Sequence, residues 1–195
     1  ARDKAQLAFQ RDLVSVLAPG GDPLRLLGAA LLARPLFNQT PSNSFHRLIE
    51  RATQAEGAGA AVYWVQLADC DSNADACPNA AALEHLLGQA PDNAAVWLLK
   101  LGADARGMKR DAARDDLAKA AAAKLYDDYA GTSLQALATA VGVLPPPADT
   151  LDPAHPGGAV GMQTVLVYGL GGTQPQPGLQ LIAKLCENAG EDASI

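Results

Sequence analysis

Pro91-Asp92-Asn93-Ala94-Ala95-Val96-Trp97 opens a helix, and its core positions return when the chain is shifted by 34 residues. Asp and Asn ahead of an apolar run can take the first unpaired backbone N–H groups, and proline is tolerated where no N–H is needed. With the 34-residue shift, Val96 falls on Val62, Trp97 on Tyr63, Leu101 on Leu67, and Leu117 on Leu83. A self-match at a fixed period marks a unit that buries its apolar face only against its neighbours.

Outward from this pair, periodicity and punctuation predict ten helices. The first, about 3–17, stops at Pro19-Gly20-Gly21, and Asp22-Pro23 then caps and opens a helix reaching about 34. Ser42 or Ser44 starts the third, which ends near Gly57. A helix over 58–70 carries Val62, Tyr63, Trp64, Val65 and Leu67, and Cys77-Pro78 opens the next, to 89. The helix from Asn93 runs to about 106, where Gly107 breaks it. Helices over 109–123 and 125–142 follow, ending at Pro145-Pro146-Pro147. The fold class read from this pattern is all-α. Its organisation is a helical array over 1–142, a Pro/Gly-containing connector over 143–158, and a C-terminal helical pair over 159–195 packing on or beside the array. That pair is about 159–170 and 178–189, although Thr164, Val165 and Val167 also suit a short strand over 160–168.

On the 34-residue frame, Trp97, Ala113, Leu117 and Ala120 take the large and small positions of a hairpin, with Pro91 at its junction. Tyr63 and Leu83 do so one unit earlier, and Ala29, Ile49 and Ala52 one unit before that. Over about 22–142 the chain therefore resembles a tetratricopeptide (TPR)-like array. Three positions depart from that pattern: Leu101-Gly102 stands one place late, Leu86 replaces a small residue, and Leu125 replaces the last junction proline. The resemblance implies antiparallel hairpins stacked into a right-handed superhelix. With its paired cysteines, the Ala-rich chain also resembles uncharacterised exported proteins of proteobacteria, which implies a compartment and a fold but no activity.

Composition supports the helical reading. The chain has 40 Ala in 195 residues and only 5% aromatics, favouring many short, closely packed helices over strands. A net charge of -6, with no basic stripe, argues against nucleic acid and against an anionic membrane surface. No run approaches the ~18 apolar residues of a membrane span. The start at Ala1-Arg2-Asp3-Lys4 fits a mature chain whose export signal has been removed, so the expected location is periplasmic or secreted. Cys70 and Cys77 flank a polar, turn-like spacer, which favours a disulfide between them. Free thiols and a metal clip are the alternatives, although a clip lacks a second ligand pair. Cys186 is left over and reads as a half-buried helix residue.

No catalytic residue, metal site or cofactor is expected. His46 reads as a solvated surface residue, Glu84-His85 lacks a second His at ligand spacing, and His155 lies between prolines. No serine stands in a Gly-x-Ser-x-Gly turn, and Gly157-Gly158 and Gly169-Leu170-Gly171-Gly172 lack phosphate-loop partners. Asp115-Asp116 reads as a solvated pair, and Asp127-Asp128 as first-turn acids of a helix. Asp69, Asp71, Asn73 and Asp75 alternate as calcium ligands would, without the glycine and glutamate of an EF-hand.

These readings point to a non-catalytic protein- or peptide-binding module of the cell envelope. Trp97 occupies a core position, whereas Trp64, about 100° around the helix, faces either a binding groove or a packing neighbour. The alternative is an inhibitor or immunity-type protein that blocks a partner enzyme with a loop over 143–158 or 169–177, its acidity steering a basic target. The partner is expected to be a protein or peptide.

Overall fold

The computed structural model describes residues 2–70, 77–154 and 157–187, without the side chains of 185–187. Among them are ten α-helices: α1 Arg2–Leu17, α2 Pro23–Ala33, α3 Phe45–Gln54, α4 Ala60–Gln66 and α5 Ala80–Gln89. Then follow α6 Ala94–Arg106, α7 Arg110–Ala122, α8 Ala130–Val141, α9 Gly158–Gly171 and α10 Leu179–Glu187. The protein is all-α; among the described residues the only β pairing is the isolated bridge Asn93–Leu125. The segment 160–168 belongs to α9, so the helical reading of that stretch is the correct one.

Short polar side chains set the helix starts. The Asp22 carboxylate accepts from Arg25 N at 2.7 Å, with Pro23 in the first turn. Ser44 caps α3 through Arg47 N, and Asn79 caps α5 through Ala82 N. Asn79, not Cys77-Pro78, therefore opens α5, because it carries the acceptor that proline and cysteine lack. A larger departure is α8, which begins at Ala130 and not near 125. The residues ahead of it are pinned to the loop before α6: Ala94 N donates to Leu125 O at 2.8 Å, and Lys124 N and Leu125 N both donate to Asp92 O. Backbone groups committed across that bridge are not free to start a helix.

Helix α2 is the hub. Every residue from Leu26 to Ala33 is buried, and α2 packs on α1, α3, α4, α8 and α9. A first core gathers Leu13, Leu17, Leu27, Leu31, Ile49 and Leu137 around it. A second core lies between α4, α5 and α6, built on Trp64, Leu67, Leu83, Leu86, Val96 and Leu99. Of the pairs matched at 34 residues, Val62 and Val96 are both fully buried, as are Leu67 and Leu101, whereas Leu83 is buried and Leu117 only half-buried. Besides neighbour-to-neighbour contacts, the packing includes a return of α8 onto α2. That crossing is tight. A methyl group on Gly28 would lie 2.7 Å from Ala140 Cβ and 2.8 Å from the Ala136 carbonyl oxygen.

A buried amide ties the start of α6 to the turn that leads into α8. Asn93 is 1% exposed, yet its side chain makes four hydrogen bonds. Oδ1 accepts from Ala95 N at 3.1 Å and from Asp127 N at 3.0 Å; Nδ2 donates to Asp127 O at 2.7 Å and to Tyr129 Oη at 3.1 Å. Tyr129, in a left-handed conformation at φ 55°, packs against both cores.

The α2–α8 crossing gives a first prediction. Gly28→Ala forces backbone apart at a contact with no flexible side chain to yield, and should cost about 1–3 kcal/mol. Thermal unfolding followed by circular dichroism would register this as a lower Tm. An unchanged Tm would mean that the crossing is looser than described.

Candidate functional site

Of the two places the sequence left open for Trp64, the packed one is observed, and Trp97 is less covered than the core position expected of it. Trp64 is fully buried and is not a groove contact: its ring meets Tyr129 edge-on at 5.6 Å, and Nε1 donates to the Pro175 carbonyl at 3.2 Å. Trp97 is half-exposed, with Nε1 donating to Pro91 O and the Lys119 ammonium 4.6 Å above its ring. Tyr63, its match in the 34-residue frame, is likewise half-buried, stacked on His85 at 3.8 Å. One residue is about 100° of helix, which is enough to exchange a core face for a surface one.

What covers Trp64 is the chain itself. Between α9 and α10, the segment 172–178 folds back onto α4 and α6. It is fixed by Trp64 Nε1 on Pro175 O, by Arg34 Nη1 on Thr173 O at 2.7 Å, and by Gln176 Nε2 on Asp128 at 3.3 Å. A cleft of about 370 Å³ remains beneath it. Leu67, Leu98, Leu99 and Pro78 supply its apolar wall, and Arg34 and Arg106 its charge; among the described residues no Asp or Glu is in its lining. Leu98 stands 34 residues after Trp64, so the two units present the same helix face to the C-terminal segment.

Two polar features of the cleft are unbalanced. Arg34 is half-buried, and that burial lowers its guanidinium pKa below the ordinary arginine value. Its ring contact with Phe45, at 5.6 Å, offsets part of the desolvation, but no carboxylate pairs with it among the described residues. Gln174 is 8% exposed, and neither its Oε1 nor its Nε2 has a hydrogen-bond partner. A buried amide left unpaired costs free energy, so the cleft carries an unmet donor and an unmet acceptor side by side.

The remaining expected residues fall elsewhere. Cys70 and Cys77 stand at disulfide distance, with Cα atoms 5.3 Å apart, and close the loop between α4 and α5. His46 is exposed, but it is not simply solvated: Nδ1 lies 2.9 Å from the Asp69 carboxylate, which that contact occupies. Asp71, Asn73, Asp75 and His155 lie outside the described residues, as does the Cys186 side chain. Among the described residues no three His, Cys, Asp or Glu side chains gather as metal ligands. Asp127 and Asp128 precede α8 instead of lying in its first turn. Their carboxylates accept from Tyr129 N and Ala130 N, holding the turn that enters the helix.

Asp115-Asp116 divides. Asp115 is exposed, but Asp116 is 1% exposed and turns inward to Lys100, whose ammonium also binds Asp104. Burial raises the Asp116 carboxyl pKa, whereas the hydrogen bond from Lys100 holds Asp104 below the ordinary value. Burial by itself would lower the Lys100 pKa, but the bonds to Asp104 and Asp116 outweigh it and raise the ammonium. None of these three residues lines the cleft. The cluster joins α6 to α7, and a helical spacing of Lys100 with Asp104 was its only trace in the sequence.

No protein-family model matches the chain, and no curated protein or solved structure is significantly similar to it.

Lys100→Met should destabilise the fold by roughly 2–3 kcal/mol at neutral pH, because it strands two adjacent, part-buried carboxylates. The sign with pH follows from the shifts. Loss of the ammonium raises both acids, so their ionisation in the unfolded chain opposes folding most at neutral pH. The deficit against wild type should shrink as the pH falls into the ordinary carboxylate range. Urea unfolding at pH 7 and pH 4 would measure it, and a deficit that grew on acidification would contradict this assignment.

Proposed function

We propose that this chain is a non-catalytic, TPR-like binding module of the cell envelope, which engages a partner polypeptide through α9. The observation that supports this reading most is the character of that helix. In 14 residues, Gly158–Gly171 contains no charged side chain, yet Met162 is its only buried residue. Val160, Val165 and Tyr168 are 72%, 73% and 69% exposed. A helix apolar on every side is ordinarily enclosed, and a contiguous exposed apolar surface marks an interaction site.

The occupant is a partner's apolar helix. Between α8 and α9 runs a groove of about 460 Å³, with Leu134, Ala138, Val160, Val167 and Tyr168 along it and Gln135 and Gln163 at its edges. Two helices with small residues between them form a seat for a third, with anchors spaced one turn apart. Among the described residues no helix is long and apolar enough to cross a membrane, and α9, with 14 residues, is shorter than a span. The envelope location rests on the cysteine pair at disulfide distance, since such bonds persist in oxidising compartments. The blocking-loop alternative is less favoured, because 172–178 is tied down by Arg34 and Trp64 instead of projecting.

Two measurements test this reading. Val160→Asp with Tyr168→Asp, both on the groove and both exposed, should abolish recovery of a specific envelope protein by affinity capture, while the helical circular dichroism and Tm stay at wild-type values. Equal capture by the double variant would place the partner surface elsewhere. Alkylation and mass spectrometry of the chain taken from its native compartment should find Cys70 and Cys77 protected until reduction. Two free thiols there would remove the oxidising location.

A further inference from the structure

The cleft beneath residues 172–178 is separate from α9 and carries its own chemistry. We propose that it is a binding site for a small carboxylate that also bears an amide, of the size and type of an N-acylated amino acid. Three observations converge on that class. In a chain of net charge -6, this cleft is lined by Arg34 and Arg106 and, among the described residues, by no carboxylate. A half-buried guanidinium that burial disfavours is stabilised by an incoming anion, which supplies the countercharge the fold leaves out.

The second observation is Gln174. Its donor and acceptor are both out of solvent contact and both unpaired. A ligand amide offers one C=O and one N–H, the complement of that carboxamide once its side chain turns into the cleft that Gln174 lines. Third, Leu67, Leu98 and Leu99 provide an apolar wall for the ligand's hydrocarbon side chain. The cleft volume of about 370 Å³ falls at the lower end of the range of small-molecule sites. A carboxylate, an amide and a short hydrocarbon, held together on one small body, match these three features.

The fold uses Arg34 to fix the segment, through Thr173, so the informative variants are the other two residues. Arg106 is exposed and forms no ion pair among the described residues, and Gln174 makes no hydrogen bond that its loss would break. Isothermal titration of the full chain with N-acetyl-leucine should give saturable binding in the millimolar range or tighter. N-acetyl-leucinamide, which lacks the negative charge, should bind at least about tenfold more weakly. Arg106→Gln should weaken N-acetyl-leucine by about tenfold at unchanged Tm. Gln174→Leu should weaken it at least as much while holding or raising the Tm, because it removes an unpaired buried amide. That combination separates a ligand-binding role from a structural one, in which loss of Gln174 would lower the Tm.

Several results would overturn the proposal. One is equal binding of the amide; another is equal binding of acetate, which would reduce the cleft to a general anion site. Tighter binding of acetyl-Ala-Ala-Leu would transfer it to polypeptide ends, and no heat of binding with N-acetyl-leucine would remove it outright. The Val160→Asp, Tyr168→Asp double variant should bind N-acetyl-leucine as wild type does, so failure here and failure of the α9 reading are distinguishable.

Discussion

The hydrogen bonds of Asn93 tie the start of α6 to the turn that leads into α8. Its side chain is buried and all four of its hydrogen bonds are made, three of them across to residues 127 and 129. A buried carboxamide is expensive when half satisfied, at roughly 1–3 kcal/mol for each orphaned group, and contributes strongly to a unique geometry when complete. The same atoms cap α6, hold the 124–127 loop flat against residues 92–94, and orient the Tyr129 hydroxyl. The left-handed backbone at Tyr129 is held there by the Asp127 carboxylate on its N–H. With that residue fixed, α8 leaves in the one direction that lets Ala136 and Ala140 close on Gly28.

From Tyr129 the constraint passes to the cleft. Its ring packs edge-on against Trp64, and the Trp64 indole holds the Pro175 carbonyl. Gln174 is the neighbouring residue, and Arg34, from the hub helix, holds Thr173 on its other side. The segment 172–178 is thus clamped at three points, by Arg34 at the end of α2, by Trp64 of α4 and by the bond of Gln176 to Asp128. A cleft built in this manner has a rigid rim and an apolar floor, the arrangement that favours small ligands.

Much of the architecture is legible in the sequence, for a simple reason. Asp22-Pro23, Ser44 and Pro91-Asp92-Asn93 carry capping chemistry that acts within four residues, and a one-dimensional string preserves it. The all-α class, the ten helices and the 34-residue correspondence of Val62 with Val96 all rest on such local or periodic signals. What the string conceals is whatever depends on residues far apart. The start of α8 is displaced by a bridge to residue 92, and Asp116 turns inward because Lys100 waits on another helix. The burial of Trp64 has the same origin. Which side of α4 is covered depends on a segment more than a hundred residues away, and no periodicity in 58–70 encodes it. Arg34, Arg106 and Gln174 carry no spacing signal at all; only the fold makes them neighbours.

The central claim is that an unpaired amide in the cleft awaits a ligand, and its own resonances give the most direct test. In a ¹⁵N–¹H correlation spectrum, the Gln174 Nε2 protons should shift saturably as N-acetyl-leucine is added. The Trp64 Nε1 proton should hold its position, since its bond to Pro175 is kept. An unmoved Gln174 amide, with the ligand-induced shifts lying elsewhere on the surface, would contradict the account.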